Sequence, residues 1–338
     1  MLLFSEGHHK SSDMRNAHLL AGYIAGNDEV GAPQVPGIVR EHSQRSMEAY
    51  RASMIQKILF PVDFSPSCFA IAAYVKRAAV LFDAQVTLVH VCDLESHNGF
   101  ELCVRPPQEI AEEHWTVARH RLDSFLGPKF PPSTCPRVLL SGEPAAQIAE
   151  FARTGGFDLV IMPTHAGRFR RMLLGSTTAK VLNDVHCPVL TTEHACTIAP
   201  RSMEHREWVC GIGLSEDSER VLRLVSRAAA QAQARLSLVY AFQNGNSALM
   251  EWGGGEPVEC PEKAEARRRL EELAKKVGCV ATIDIAAGPV KEALLDAARR
   301  SDADVLIIGR TPRSGAVGRM RDLTYSLVRE SPIPVLSV

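Results

Sequence analysis

A run of small and hydroxyl-bearing residues, Gly175-Ser176-Thr177-Thr178, has the composition of a phosphate-binding helix start. The backbone N–H groups in the first turn of a helix have no partners within the helix and carry partial positive charge, so they attract anions. Glycine lets a phosphate approach the backbone closely, and the three hydroxyls add hydrogen-bond donors. The alternative is an ordinary cap, in which serine or threonine satisfies the first turn by itself.

The residues on either side of this run predict its setting. Leu159–Met162 is apolar throughout and is predicted to be a buried strand that ends at Pro163, and Cys187–Leu190 begins a second one. The arginines in the intervening loop could pair with phosphates, although a solvated basic loop is the commoner outcome. The polar residues of this loop are His165, Arg168, Arg170 and Arg171.

Strands and helices alternate before this segment, which predicts a parallel sheet with helices on both faces. In such a sheet, ligands bind beyond the carboxyl ends of the strands, where the strand order reverses. Predicted strands are 57–65 (running into a loop), 86–91 and 137–140, and predicted helices are 66–82, 110–126 and 145–154.

Asp63 lies just past the first strand, and Gly175 follows the fourth, so both are expected at the ligand-binding edge. An acid there could accept a hydrogen bond from an adenine amino group or a ribose hydroxyl. It could equally help to cap the following helix, for which Ser65 and Pro66 form a typical start.

The second half of the chain repeats the first, which predicts two tandem copies of one α/β domain. Copy one is assigned to residues 55–194 and copy two to 206–338, with a linker at 194–206. The first part of copy one aligns with residues 150 positions later in the chain. Copy two is then four residues shorter, so the rest of copy one aligns with residues 146 positions later. The aligned stretches are 84–90 with 234–240, 158–161 with 304–307, and 187–190 with 333–336.

The copies differ where chemistry is expected. Gly213 replaces the acid at position 63, and Arg321 and Asp322 replace Gly175 and Ser176. An acid at a helix start satisfies the dipole itself and repels phosphate. Copy two is therefore predicted to lack a nucleotide site of this kind.

Composition and charge narrow the range of functions. The net charge of −1 gives no sign of a nucleic-acid or membrane surface, and no apolar run approaches the roughly 20 residues that cross a bilayer. Nine cysteines lack CxxC or metal-ligand spacing, which predicts buried thiols in the cytoplasm and no metal site. Residues 1–53 lack sustained periodicity and are predicted to be a disordered tail.

With these motifs in place, the chain resembles the universal stress protein family in its tandem two-domain form. The resemblance rests on FPVDFS, TLVHV, SGEPAAQI, DLVIMPTH, LLGSTTAKVL and CPVLTT, and covers nearly everything after the tail. It implies two doubly wound domains of the adenine nucleotide alpha hydrolase-like fold. It also implies that Val189–Thr192 and Val335–Val338 pair within one chain as a pseudo-dimer, and it leaves a homodimer open.

The resemblance also implies ATP or a related adenine nucleotide, with Mg²⁺ left open, in copy one. The family's ATP-binding pattern of Gly, two residues, Gly, nine residues, Gly-Ser/Thr is met only in part. Pro163 stands at the position of the pattern's first glycine. Ala166 or, with a shift, Gly167 stands at the second, and the loop to Gly175 is one residue short. The implied adenine and ribose contacts are Asp63 with Pro61, Val62 and Val91; Met162, Pro163 and Ala166 flank the ribose and phosphates; Gly175, Ser176, Thr177 and Thr178 hold the phosphates.

Three functions follow from the residues and the resemblance. The preferred one is a cytoplasmic stress-response protein that binds an adenine nucleotide as a signal, with unidentified protein partners and at most slow hydrolysis. The second is an interaction module of the same fold without nucleotide. The third, an adenylyl-transfer enzyme, would want a glycine-rich loop after the first strand, where this chain has Asp63–Ser67. No catalytic triad or general base is predicted.

Overall fold

The computed structural model describes residues 55–93, 106–164, 174–192, 206–242, 261–310 and 317–338. The predicted tail lies outside these residues. Most of the loop between Pro163 and Gly175 lies outside them as well. The strands in the described part are β1 Lys57–Pro61, β2 Gln85–Cys92, β3 Arg137–Ser141, β4 Leu159–Pro163, β5 Val189–Thr192, β6 Glu207–Gly211, β7 Arg235–Phe242, β8 Thr282–Ala287, β9 Val305–Ile308 and β10 Val335–Ser337.

Helices alternate with these strands along the chain. They are α1 Pro66–Phe82, α2 Pro107–Ser124, α3 Pro144–Thr154, α4 Ser176–Asp184, α5 Ser218–Gln231, α6 Pro261–Val277, α7 Val290–Arg300 and α8 Val317–Glu330. The predicted start of α1 is confirmed, because Ser65 is its N-cap and Pro66 its first residue. Helix α2 ends two residues before the predicted Leu126, since Phe125 is extended and Leu126 has a φ of 53°.

The strands form one sheet in the order β3-β2-β1-β4-β5-β10-β9-β6-β7-β8. Within each half the neighbours are parallel. At the centre, β5 and β10 pair antiparallel with Leu190 opposite Leu336, which confirms the predicted pairing of the two copies within one chain.

Backbone contacts recur at the aligned positions of both copies. Asp158 accepts hydrogen bonds from Gln56 N and Lys57 N at the start of β1, and Asp304 accepts one from Glu207 N at the start of β6. Gly142 N donates to Cys92 O and Gly288 N to Phe242 O, both at 3.0 Å. These two glycines have φ of 124° and 114°, a conformation that favours glycine. The predicted repeat is therefore confirmed at the level of the backbone.

Helices from both copies cover each face of the sheet. Core residues of α1, α2, α5 and α6 pack on one face, and those of α3, α4, α7 and α8 pack on the other. Side chains alternate along β1, so Ile58 and Phe60 join the first core and Leu59 joins the second. This double burial explains why the strands are continuous apolar runs.

Candidate functional site

The strand order reverses between β1 and β4, which lie side by side and continue to β2 and β5 respectively. In a doubly wound sheet, a crevice forms at such a point beyond the carboxyl ends of the two strands. Here those ends are Pro61, two residues before Asp63, and Pro163, directly before Thr164. The predicted acid and the end of the fourth strand thus lie at one edge of the sheet.

Two hydrogen bonds fix the start of α4 at the same edge. Gly175 N donates to Thr164 O at 3.0 Å, and Thr178 Oγ1 donates to Pro163 O at 3.1 Å. Thr178 is buried, and its hydroxyl is therefore committed to the end of β4. Ser176 is exposed and Thr177 is half-buried, so neither residue is enclosed in the core.

Among the described residues, no side chain caps the start of α4. Gly175 is the N-cap residue, with φ −58° and ψ 138°, and Ser176 is already the first helical residue. The alternative interpretation, in which serine or threonine caps the helix, is therefore wrong. By contrast, Ser65 Oγ accepts from Cys68 N at the start of α1, and Glu143 caps α3. No side chain of the described residues bonds to the first-turn N–H groups of α4, so with respect to these residues the groups are available for an anion.

Asp63 contributes to the turn between β1 and α1. Its Oδ1 accepts hydrogen bonds from Ser65 N at 2.9 Å and Cys68 Sγ at 3.0 Å. Burial, followed by the nearby Asp63 carboxylate, raises the pKa of the Cys68 thiol to about 12, so that thiol stays protonated and acts as a donor. Oδ2 has no hydrogen-bond partner in the described part of the chain, and the Asp63 side chain is exposed.

Copy two closes the corresponding turn without a carboxylate. Ser218, which aligns with Cys68, accepts a hydrogen bond from Ser215 N through Oγ at 3.0 Å and donates one to Gly213 O at 2.8 Å. A hydroxyl therefore replaces Oδ1 of Asp63 as the acceptor for the turn. Because copy two forms this turn with glycine at position 213, the fold does not need an acid at position 63 to form it.

Phe64 adopts a left-handed conformation, with φ 59°, directly after Asp63. This conformation is unfavourable for a bulky residue and is found where surrounding contacts enforce it, often at functional sites. The Phe64 ring lies 4.3 Å from the His90 ring and 4.5 Å from the Arg121 guanidinium carbon. Leu214, its counterpart, does not have a positive φ.

His90 was not predicted as a site residue. Its Nδ1 lies 2.7 Å from Val62 O, so the ring nitrogen donates to the backbone at the end of β1. Burial lowers the pKa of His90 below its ordinary value, the bond to Val62 O opposes that shift, and the charge of Arg121 reinforces it. The only sequence signal is a histidine in a largely apolar strand, which does not reveal its partner.

The remaining apolar residues named from the family resemblance are buried at this edge: Pro61, Val62, Val91, Met162 and Pro163. They do not share one face of the sheet. Val62 belongs to the core on the α1 face, whereas Val91 and Met162 belong to the core on the α3 and α4 face. Ala166, Gly167 and the basic residues of the loop lie outside the described residues.

A pair between α3 and α4 was also missed from the sequence. Glu143 Oε2 caps α3 by accepting from Ala146 N at 2.7 Å, and its Oε1 pairs with Lys180 Nζ at 2.8 Å. The hydrogen bond from Lys180 lowers the pKa of Glu143. Glutamate before proline predicts the cap, but no local pattern links it to a lysine on another helix.

A model of the universal stress protein family matches residues 54–192 and 206–338, which is most of the chain. This chain belongs to the universal stress protein family. The predicted fold class is thereby confirmed: both domains have the adenine nucleotide alpha hydrolase-like fold, and the two matches agree with the repeated strands.

Universal stress proteins of other organisms are similar to one domain or to both. Two from Methanocaldococcus jannaschii are 29% identical over 148 residues (42% of this chain, 84% of the relative) and 26% identical over 155 residues (41% and 96%). The crystal structure of a universal stress protein from Archaeoglobus fulgidus has a TM-score of 0.62 and 19% identity, and covers 84% of this chain and 96% of that one. At this identity the last likeness concerns the fold alone.

The second universal stress protein domain holds the carboxyl end of α4. Arg310, which follows β9, donates through Nη1 to Leu182 O at 2.9 Å and Val185 O at 3.0 Å, and through Nη2 to Cys187 O at 2.6 Å. Burial lowers the pKa of Arg310 to about 10, so the guanidinium remains charged at neutral pH. A cation at the last carbonyls of a helix satisfies them and opposes the dipole.

Tyr325 of α8 adds two more contacts to α4. Its hydroxyl accepts from Asn183 Nδ2 at 2.6 Å and donates to Ala179 O at 3.3 Å. These cross-domain contacts were not predicted, because their residues are far apart in the sequence. Through these contacts, Arg310 and Tyr325 of the second domain help to position α4 of the first domain.

The described residues contain no helix long and apolar enough to cross a membrane. Within the same residues, no group of three or more His, Cys, Asp and Glu side chains could hold a metal ion.

Proposed function

We propose that the first domain binds ATP or a related adenine nucleotide, and that this binding is the signal of a cytoplasmic stress-response module. The nucleotide would lie in the crevice between Asp63 and the start of α4. Its phosphates would accept hydrogen bonds from the first-turn N–H groups and from the hydroxyls of Ser176 and Thr177. Oδ2 of Asp63 would accept from the ribose or the adenine.

The observation that carries this proposal is the uncapped start of α4 at the carboxyl edge of β4. Glycine at the cap keeps side-chain atoms away from the N–H groups, and Thr178 fixes the helix to the strand from below. A helix start that lies next to a switch point and has no side-chain cap among the described residues suits phosphate. The residues therefore fit a nucleotide phosphate without rearrangement of the described backbone.

The turn at Asp63 supports the same function. Copy two shows that a serine hydroxyl can close the turn, so the carboxylate is available for a ligand contact through Oδ2. The strained Phe64 beside it agrees with a functional position. In copy two, Gly213 stands in place of the acid, so we propose that this copy binds no nucleotide. The prediction that Arg321 and Asp322 lie at the helix start is wrong, because α8 begins at Val317, four residues before Arg321.

Magnesium would reach this site with the nucleotide. A triphosphate brings Mg²⁺ because its oxygens supply most of the ligands that the ion prefers. Ser176 Oγ, exposed at the first turn, is the described hydroxyl nearest to the proposed phosphates by position in the helix. A requirement for Mg²⁺ would appear as tighter binding of ATP than of AMP only when the ion is present.

One feature favours the second candidate, an interaction module without nucleotide. Pro163 occupies the position where ATP-binding relatives have their first glycine, and the following loop is one residue shorter. Proline has no N–H to offer a phosphate and fixes the local backbone. Binding must therefore depend on α4 and Asp63 rather than on the strand end.

Nucleotide stoichiometry tests the proposal. Purified protein is denatured, the released small molecules are separated by anion exchange, and stripped protein is titrated with ATP, AMP and cyclic AMP with and without Mg²⁺. About one nucleotide per chain is expected, and Gly175→Glu should abolish binding because it adds a side chain and a negative charge at the helix start. Gly175→Ala separates bulk from charge, and Arg321→Gly in copy two should change nothing.

Each outcome assigns a function. One nucleotide that is lost in Gly175→Glu supports a single site in the first domain. Two nucleotides per chain would show that copy two is active. No retained nucleotide and no binding on titration would support the interaction module instead, and strong binding by Gly175→Glu would place any site elsewhere.

A further inference from the structure

A cavity of about 380 Å³ lies on the α1 face of the sheet, over the antiparallel seam between β5 and β10. Copy one contributes the carboxyl half of α1 and the residues at the start of β1 and β4. Copy two contributes the residues at the start of β6, β9 and β10. This cavity is separate from the crevice at Asp63 and Gly175, none of whose described residues line it.

Most of the cavity wall is apolar. Its apolar lining includes Leu81, Phe82, Leu190, Trp208, Ile333 and Leu336, and Tyr74 also lines it. Phe82 and Trp208 pack edge to face across the two copies, with ring centroids 6.4 Å apart. Leu190 and Leu336 are the paired residues of the seam. A cavity of this size and lining is typical of sites for small organic molecules.

One cation of the wall is available to a ligand. Arg77, half-buried on α1, forms no hydrogen bond or ion pair with any residue of the described ranges. The other two arginines of the wall already have partners: Arg206 donates to Ala232 O, and Arg299 pairs with Asp296. A guanidinium beside an apolar wall is best satisfied by a carboxylate, which it can bind through two N–H groups.

The acids of the wall limit the charge of the ligand. Asp302 and Asp304 line the copy-two side, so a second negative charge on the ligand would meet a carboxylate. Nucleoside phosphates, with several charges and a large polar surface, do not match an apolar wall with one available cation. An apolar molecule with a single carboxylate matches both features.

We propose that this cavity binds an amphipathic organic acid, with its carboxylate on Arg77 and its apolar body over Leu190 and Leu336. Such a ligand contacts both domains at once and stabilises their seam by binding only the folded arrangement. The proposal does not depend on nucleotide binding, because the two sites share no described residue.

Displacement of a fluorescent probe tests this site on the full chain. Anilinonaphthalene sulfonate is bound to the protein and displaced with dodecanoate or with dodecanol, which has the same chain without the charge. Dodecanoate should bind about tenfold more tightly, since a charge-assisted hydrogen bond contributes roughly that much. Arg77→Gln should remove the difference between acid and alcohol, whereas Lys76→Gln, on the exposed side of the same helix, should preserve it.

A second variant locates the apolar part of the site. Leu190→Trp fills the cavity and should abolish displacement by both ligands, while Val80→Trp, at a solvent-exposed position of α1, should not. Circular dichroism and the melting temperature show whether each variant folds. Should Leu190→Trp fail to fold, Ala78→Leu, also in the wall, gives a smaller filling with the same expected direction.

Three results would overturn the proposal. The first is equal affinity for dodecanoate and dodecanol in the unmodified protein, and the second is unchanged displacement in folded Leu190→Trp. The third is a folded protein that binds neither ligand and is a dimer by sedimentation, with Leu190→Trp monomeric, since this face would then belong to a second copy of the chain.

Discussion

The two universal stress protein domains share their scaffold but not their ligand-binding edge. Asp158 and Asp304 hold the starts of equivalent strands, and Gly142 and Gly288 make equivalent turns. At the carboxyl edge, by contrast, Asp63 aligns with Gly213, and Gly175 and Ser176 at the start of α4 align with Arg321 and Asp322, which lie inside α8. The contacts at Asp158, Asp304, Gly142 and Gly288 are therefore common to both domains, whereas the residues at the carboxyl edge differ. Differences at that edge would determine which ligand each domain binds.

The seam between the domains is asymmetric as well. Arg310 of copy two donates to three carbonyls of copy one, whereas its counterpart Thr164 has a buried Oγ1 without a hydrogen-bond partner among the described residues. Tyr325 contacts α4 through its hydroxyl, and its counterpart Ala179 has no hydroxyl with which to return the contact. The second domain thus supports the helix at whose start the phosphate site of the first domain is proposed.

Replacement of Arg310 should give the largest effect on stability. Arg310→Met leaves three partly buried carbonyls without their donor and should lower the free energy of unfolding by about 3 kcal/mol, measured by urea denaturation. Thr164→Val, at the aligned position, should change it by less than about 1 kcal/mol or raise it, because the hydroxyl that it removes is unsatisfied.

The same pair of variants tests whether the seam supports the site. In folded Arg310→Met, nucleotide affinity should fall although position 310 is at the other end of α4, and Tyr325→Phe should show a smaller loss in the same direction. Equal destabilisation by Arg310→Met and Thr164→Val would show that the seam is symmetric in energy and would contradict the comparison.

Transfer of the copy-two turn into copy one should give a smaller effect, confined to binding. Asp63→Gly with Cys68→Ser reproduces the Gly213 and Ser218 arrangement, so the turn should close and the melting temperature should change little. Nucleotide affinity should fall about tenfold, because a hydrogen bond to a charged group is lost. Cys68→Ser alone is the control and should bind normally; loss of affinity in this control would assign the effect to the turn rather than to the carboxylate.

Sequence patterns sufficed for most of the fold because local signals agreed with one another. Apolar runs such as Leu159–Met162 predicted strands, Ser65-Pro66 predicted a helix start, and internal repetition predicted two domains. The pairing of β5 with β10 came from the family resemblance rather than from any local pattern. The position of Asp63 and Gly175 at one edge followed from the strand order that a doubly wound sheet imposes.

Contacts between distant residues could not be predicted in this way. Neither the composition nor the spacing of Arg310 and Tyr325 shows that they meet α4, because those contacts depend on the packing across the seam. The sequence does not determine which residue is the N-cap of α4, because any of the first residues in a Gly-Ser-Thr-Thr run can occupy that position. The backbone conformation of Gly175 decided between them.

The smallest expected effect concerns His90, whose aligned residue is Tyr240. Burial lowers the pKa of His90 below 6.5, so the folded domain disfavours the protonated ring. The unfolded chain then binds the proton more readily, and stability is fully present above about pH 6.5 and decreases as the pH falls below it. Urea unfolding of the full chain should therefore show a lower free energy of unfolding at about pH 5.5 than at about pH 7.5, with a slope of at most about 1.4 kcal/mol per pH unit from this one group.

His90→Tyr, which installs the residue of copy two, should reduce that slope, whereas His120→Tyr, at an exposed position of α2, should not. An unchanged slope in His90→Tyr would show that the contact between His90 and Val62 does not distinguish the two copies energetically, and that carboxylates determine the acid sensitivity of the first domain.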